Sequence, residues 1–297
     1  MVNNLKCKEV KSEKKVIYKY LKWKKRKVYL SLIAFFLLSG CISNKYTFIE
    51  SENFDTRVRY LVIHFTSQST QESIRTLTEN SLFPVSSHYL ITDAGKVIQM
   101  VNENERAWHA GRSYWQGFTA INDLSIGIEI VNESGCKKEI EEISRIDSLN
   151  KYCTFEPFSE NQIQNLIKLI EDILERHPRI KPFHILAHSD IAPKRKLDPG
   201  PLFPWEELAI SGIGAWYNNN DNRLYYDEFN ENMPQLKFLQ ERLRDFGYKI
   251  DITGSNDKQS IAAVRAFQLH FRPKNYDGYF DAETSAILFS LLKKYDL

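Results

Sequence analysis

Tyr60-Leu61-Val62-Ile63-His64-Phe65 and, further along the chain, Ser125-Ile126-Gly127-Ile128-Glu129-Ile130-Val131 are the stretches that decide the fold. The first is a short, apolar, β-branched run, which predicts a buried strand. The second alternates, with Ile126, Ile128 and Ile130 on one face and Glu129 on the other, so it predicts a strand that carries a carboxylate. Between them, His88-Tyr89-Leu90-Ile91 and Val97-Ile98-Gln99-Met100 flank Thr92-Asp93-Ala94-Gly95-Lys96, a hairpin with its turn glycine. Ser67 to Ser81 is polar with Ile74 and Leu77 at helical spacing, a surface helix. Ser159 and Gln162 form a capping box, and Ile163, Leu166, Ile167, Ile170, Ile173 and Leu174 follow on one helix face as far as His177-Pro178. A last strand is expected from Phe183 to His188, opening into the loop Ser189 to Trp205. Strands mixed with helices predict an α/β (α+β) fold, a mixed central sheet flanked by helices, over residues 56–216. Three short amphipathic helices, Leu236 to Phe246, Lys258 to Phe271 and Ala282 to Tyr295, predict a small C-terminal three-helix domain over 233–297. The Asn- and Asp-rich stretch between, 217–232, is expected to be a linker.

At 297 residues the chain is long enough for about two domains. With 42% hydrophobic and 26% charged residues, 12 Gly and 10 Pro, it is no collagen, low-complexity polymer or mainly disordered protein. The net charge of +2 hides a division: residues 1–40 carry eleven Lys/Arg against two Glu, leaving 29 basic against 36 acidic residues, or −7, in the rest. A body of that sign has no general attraction for phosphate backbones, so nucleic acid is not an expected partner.

The basic stretch ends at Lys27, and the apolar run Val28 to Leu38 then leads to Ser39-Gly40-Cys41. Charge, short apolar run and small residues in that order describe an export signal. The box resembles that of a bacterial lipoprotein, in which the cysteine, here Cys41, is lipidated and anchors the protein to a membrane. The alternative is an uncleaved span, since Val28 to Asn44 is uncharged for 17 residues, the low edge of what crosses a bilayer. Residues 1–40 are thus expected to be a signal peptide and 41–55 a tether. Ile42 stands where an Asp would favour the inner membrane, so the sorting rules of Gram-negative lipoproteins imply the periplasmic face of the outer membrane. In that compartment Cys136 and Cys153 are either disulfide-bonded, closing a loop worth about 3 kcal/mol in the chain-entropy model, or free thiols.

All seven His follow the leader. His184 and His188 are four apart, and in a strand that spans about 13 Å, too far for one ion. His188 is the better candidate ligand, because it opens a Pro-stiffened loop, HSDIAPKRKLDPG, that holds Lys196 and Asp198. His64 sits likewise at the end of an apolar strand. Two His and one carboxylate with an open position would make a catalytic zinc site, and Glu129, polar in an apolar strand, could be its base. A carboxylate so placed asks for a metal, water or cation nearby.

LVIHFT, VSSHYLI, AWHAGRSYW, SIGIEI and HSDIAPKRKLDPGPLFPW, in that order over Val58 to Trp216, resemble the motifs of the zinc-dependent N-acetylmuramoyl-L-alanine amidases of the AmpD/AmiD type. Leu239-Gln240, Gly247-Tyr248, Ala266-Phe267-Gln268 and Asp281 to Thr284 resemble the peptidoglycan-binding domain of the AmiD-like lipoprotein branch. The resemblance implies that His64, His188 and Asp198 bind one Zn²⁺, that Glu129 is the general base and acid, and that Lys196 supports the developing oxyanion. It implies hydrolysis of the amide between (anhydro-)N-acetylmuramic acid and L-Ala, in wall degradation, remodelling or recycling, with peptidoglycan and muropeptides as partners and no obligate protein partner. His88, Trp108 and His109 lie in matched motifs as candidate substrate-binding residues, with wall or structural roles as the alternative. Trp115 and Trp205 either offer faces to sugar or peptide or are packed. Two departures stand out: the Cys136 to Cys153 segment resembles an insertion beside the catalytic strand, and Asp257 to Ser260 stands where Asp-x-x-Thr is common in the binding domain; Ser87 stands where other members of the wider superfamily place a Tyr. The competing functions are a wall-binding protein that does not cut and a peptidase acting within the stem peptide.

Overall fold

The computed structural model describes residues 46–138, 149 and 151–297. The expected signal peptide, the lipidated Cys41 and most of the stretch between Cys136 and Cys153 lie outside the described residues. Residues 46–54 are exposed and carry no helix or strand. Residues 55–297 form one unit.

Along that unit run β1 (Tyr60–Phe65), α1 (Thr70–Thr78), β2 (Tyr89–Ile91), β3 (Val97–Gln99), β4 (Ser125–Ile130), the short pair β5 (Gly135–Cys136) and β6 (Cys153–Thr154), and α2 (Glu160–Arg176). After β7 (Ile185–Ala187) come the helical turn α3 (His188–Ile191), α4 (Trp205–Ile210), α5 (Asn219–Glu231), α6 (Leu236–Phe246), α7 (Lys258–Phe271) and α8 (Ala282–Tyr295). The main sheet has the order β3-β2-β4-β1-β7, parallel throughout except for the β2–β3 hairpin. The mixed sheet flanked by helices is as the sequence patterns predict.

One face of the sheet, with Leu61, Ile63, Ile126, Ile128, Ile130 and Ile185, is buried under Ile163, Leu166, Ile170 and Ile173 of α2 and under Trp205 and Leu208 of α4. α2 begins at the capping box expected of Ser159 and Gln162. Gln162 also donates its amide to the Val131 and Thr92 carbonyls, which ties the helix start to the sheet. The opposite face carries Tyr60 and Val62 into a second core shared with Phe246, Tyr248 and Phe267. It also carries His64 and Glu129, which the parallel register of β1 and β4 sets side by side.

Two expected elements differ. The strand expected over Phe183 to His188 is formed only from Ile185 to Ala187: Pro182 opens a 3₁₀ turn, and Asp190 accepts a hydrogen bond from Ala187 N–H at 2.7 Å, turning His188 into a helix. The linker expected over 217–232 is largely the helix α5. The Asn218 side chain caps it by accepting from the Asn220 and Asp221 N–H groups, and Tyr225 and Phe229 pack on Phe289 of α8. Asn-rich composition here marks a cap and a polar outer face. Cys136 and Cys153 are disulfide-bonded, which fastens β5 to β6.

Candidate active site

The site lies at the carboxyl ends of the parallel strands, where open α/β sheets place their clefts. His64 is near the end of β1, Glu129 near the end of β4, and His188 follows β7 directly. Asp198 returns to them because the loop after α3 folds back: Lys196 N–H donates to the Ala192 carbonyl and Ser189 N–H to the Asp198 carbonyl. His64, Glu129, His188, Lys196 and Asp198 border one cavity of about 200 Å³.

His64, His188 and Asp198 are all buried. Their facing atoms make a tight triangle, His64 Nδ1 to His188 Nδ1 at 2.9 Å, His188 Nδ1 to Asp198 Oδ2 at 3.0 Å and His64 Nδ1 to Asp198 Oδ2 at 3.2 Å. Tetrahedral zinc with bonds of about 2.0 to 2.2 Å holds nitrogen and oxygen donors roughly 3.3 to 3.6 Å apart. The triangle therefore needs to open by only about a few tenths of an ångström to hold such an ion. Among the described residues this is the one group of three that could hold a metal.

The hydrogen bonds behind the triangle settle which nitrogens offer lone pairs. Ser125 Oγ–H donates to the Ile121 carbonyl at 2.6 Å, so its oxygen accepts from His109 Nε2–H at 3.1 Å. His109 Nδ1 then accepts from His64 Nε2–H at 3.0 Å, leaving His64 Nδ1 unprotonated toward the cavity. On the other ligand, His188 Nε2–H donates to the Ala110 carbonyl at 3.2 Å, again freeing Nδ1. Burial and the neighbouring His188 push His64 down to about 4, so it is neutral at pH 7. Burial alone would raise the Asp198 carboxyl, but His188 and His64 hold it far below the usual range. Two imidazoles and a carboxylate are a donor set suited to Zn²⁺.

Burial lifts the Glu129 carboxyl well above the usual carboxylate range; Asp198 adds to the rise and Lys196 opposes it. Glu129 Oε2 is buried with no hydrogen-bond partner among the described residues. A buried carboxylate oxygen of this kind is set to take a proton from a water or give one to an amine in the cavity.

The three candidate substrate-binding residues part company. Trp108 is 46% exposed on the cavity wall. His109 reaches the cavity, and both its ring nitrogens are taken up by His64 and Ser125, so it orients His64. His88 lies outside the cavity lining and is fully buried, with Nδ1 accepting from Gly127 N–H and Nε2 facing the Glu105 carbonyl. Trp115 and Trp205 are packed, at 0% and 3% exposure. Ser87 donates to the Gly127 carbonyl. Ser125 and the Ala110 carbonyl were missed by sequence reasoning; the one available signal was Gly127. A Cβ there would lie 2.4 Å from the His109 ring, so the glycine makes room for that ring.

A mixed sheet with two histidines, one aspartate and a raised glutamate at its carboxyl edge defines a metal-dependent hydrolase. The Amidase_2 family, N-acetylmuramoyl-L-alanine amidase, matches residues 54–201, and a peptidoglycan binding domain family matches 232–288. The chain is 40% identical to the N-acetylmuramoyl-L-alanine amidase AmiD of Escherichia coli K12, over 91% of its own length and 99% of that protein. Among solved structures, AmpDH3 from Pseudomonas aeruginosa superposes with a TM-score of 0.74 at 38% identity, covering 86% of this chain and 98% of that one. AmiD from E. coli, in complex with anhydro-N-acetylmuramic acid-L-Ala-D-gamma-Glu-L-Lys, superposes with a TM-score of 0.71 at 39% identity, covering 83% and 93%. The chain belongs to the N-acetylmuramoyl-L-alanine amidase family, and its activity is that amide hydrolysis.

Proposed function

We propose that the protein is a zinc amidase that releases stem peptides beginning at L-Ala from both ordinary and 1,6-anhydro muramic acid, acting from the periplasmic face of the outer membrane through a lipid on Cys41. The observation that carries the chemistry is the triangle of Nδ1, Nδ1 and Oδ2 atoms beside the unpartnered Glu129 Oε2. Zn²⁺ held by His64, His188 and Asp198 supplies a Lewis acid for the carbonyl and makes water more acidic. Glu129 takes the proton as water adds to the lactyl carbonyl, its raised basicity suiting it to both halves of the transfer. It then gives that proton to the L-Ala nitrogen as the C–N bond breaks. The Lys196 ammonium borders the same cavity and offsets charge growing on the carbonyl oxygen. The dual sugar preference is supported by similarity to AmiD and by an exported address, which gives access to intact wall. The address is supported by the Lys-rich leader, the apolar run and Cys41.

Mass spectrometry of products from defined muropeptides, with zinc, with chelator and with Glu129→Ala, tests the chemistry. Free stem peptide that requires both zinc and Glu129 is expected; cleavage inside the stem, or binding without cleavage, would overturn it. Fatty-acid labelling that disappears in Cys41→Ser tests the anchor, and an unlabelled wild-type protein would refute it.

A further inference from the structure

A second cavity, of about 480 Å³, opens beside the catalytic one, and Phe65, Ser67, Lys196 and Asp198 border both. Its remaining wall is Gly135 to Lys138 on one side and Arg195 with Leu197 on the other. Four cationic side chains, Lys137, Lys138, Arg195 and Lys196, thus line it against one carboxylate, Asp198, which is taken up by the two histidine ligands. This concentration runs against the −7 balance of the chain beyond its leader.

The wall is built. The Cys136–Cys153 disulfide fixes one side, and Lys137 N–H donates to the Tyr152 carbonyl at 2.8 Å. Lys138 Nζ sits 4.2 Å from the centre of the Tyr152 ring. Gly135 lets this rim close onto the site, since a Cβ there would already press to 3.3 Å from Ser67 Oγ. Across the cavity, Arg195 is braced by a 2.6 Å hydrogen bond to the Arg112 carbonyl.

We propose that this basic cavity is a carboxylate subsite for the stem peptide, formed by the disulfide-fixed rim Cys136–Lys138 with Arg195. The proposal rests on the amidase activity and adds a substrate preference to it. In a stem whose second residue is joined through its side chain, as in the D-gamma-Glu of the AmiD complex, the α-carboxylate of that residue stays free. It lies about one to two residue lengths, roughly 4 to 7 Å, from the scissile amide. A cavity that shares Lys196 with the reaction centre is at that reach. The subsite therefore favours stems with this carboxyl free over stems in which it is amidated.

The test compares full-chain enzyme on two muramyl peptides that differ only in that group, carboxylate or carboxamide. The expected wild-type preference for the carboxylate is about tenfold in kcat/KM, carried by KM, the scale of one charge-assisted hydrogen bond. In K137E/K138E the preference falls to unity or reverses, with zinc content and melting temperature as folding controls. Equal wild-type values for the two substrates, or an undiminished preference in the charge-reversed protein, would overturn the proposal. Absence of turnover on both would overturn the amidase activity instead. Calorimetric affinities of Glu129→Ala protein for the same two peptides then decide the subsite by the same ratio.

Discussion

His109 shows how a single residue outside the ligand set acts through one that is in it. Its Nδ1 fixes the proton on His64 Nε2, and its Nε2 is fixed in turn by Ser125. Partners behind metal-bound histidines typically matter by about 10- to 100-fold in metal affinity. His109→Leu is therefore expected to weaken zinc binding by that factor, read by chelator competition and by the absorption of the cobalt-substituted protein. His109→Asn, whose amide oxygen stands near the place of Nδ1, is expected to recover most of it. Gly127→Ala should mimic the Leu variant, because the new Cβ displaces the ring. Unchanged affinity in both His109→Leu and Gly127→Ala would show the ring to be mere filling. The positions of His64, Glu129 and His188 were legible in the sequence because each interrupts or ends an apolar run, whereas Asp198 was reached through the Pro-bounded loop that follows His188. The roles of His88 and His109 were not, because both sit in equally matched motifs and only the folded chain separates them: Asn122 Oδ1 accepts from the His109 and Ala110 N–H groups and brings the His109 ring to His64, while His88 is held on Gly127 N–H.

Elements are joined here by polar links that no periodicity announces. Glu103, in the loop after β3, accepts hydrogen bonds from Tyr89 of β2 and from Arg176 and His177 at the end of α2. Burial opposes its charge, but these donors win and hold the Glu103 carboxyl down at about 2. Since that lies below the ordinary value of 4.5, the stabilisation is complete above about pH 4.5 and is lost as pH falls toward 2. Arg176 is half-exposed, so the ion pair itself is screened and the partly buried hydrogen bonds from Tyr89 and His177 dominate. Glu103→Gln is expected to cost about 1 to 3 kcal/mol at pH 7, a few degrees in melting temperature, and the gap from wild type should close between pH 4.5 and 2. A gap independent of pH would show that charge plays no part. The disulfide offers a second check: breaking it with Cys136→Ser should cost about 3 kcal/mol in the chain-entropy model, read by denaturant titration. Its existence was left open by the sequence, since spacing says nothing about proximity. Helices with a clear apolar face, such as α2, α7 and α8, were legible; α5 was not, because its few aromatic contacts are hidden in an Asn-rich background.

At the scale of the whole molecule the C-terminal helices are part of the catalytic fold. Tyr60, Val62 and Trp115 share one core with Leu243, Phe246, Tyr248 and Phe267. Trp115 meets the Tyr248 ring edge-on at 5.0 Å, and a Cβ at Gly247 would come within 2.6 Å of the same indole. A buried carboxylate reinforces the seam: Asp190, two residues after the ligand His188, accepts from the Tyr248 hydroxyl and from His270 Nδ1 at 2.7 Å. His270 is stacked in turn on Trp205 at 3.7 Å. Cutting the chain at 216 would expose Trp115 and leave Asp190 without two donors, and a buried charge stripped of partners is strongly destabilising. Calorimetry of the chain is therefore expected to show one cooperative transition, not a small one for residues 233–297 and a large one for the rest. Tyr248→Phe should lower that single transition as a whole, by about 1 to 3 kcal/mol, and weaken zinc retention through the turn that carries His188. Two separate transitions, with Tyr248→Phe moving only the smaller, would mean that the helices are an independent binding module and that the shared core contributes nothing to the metal site.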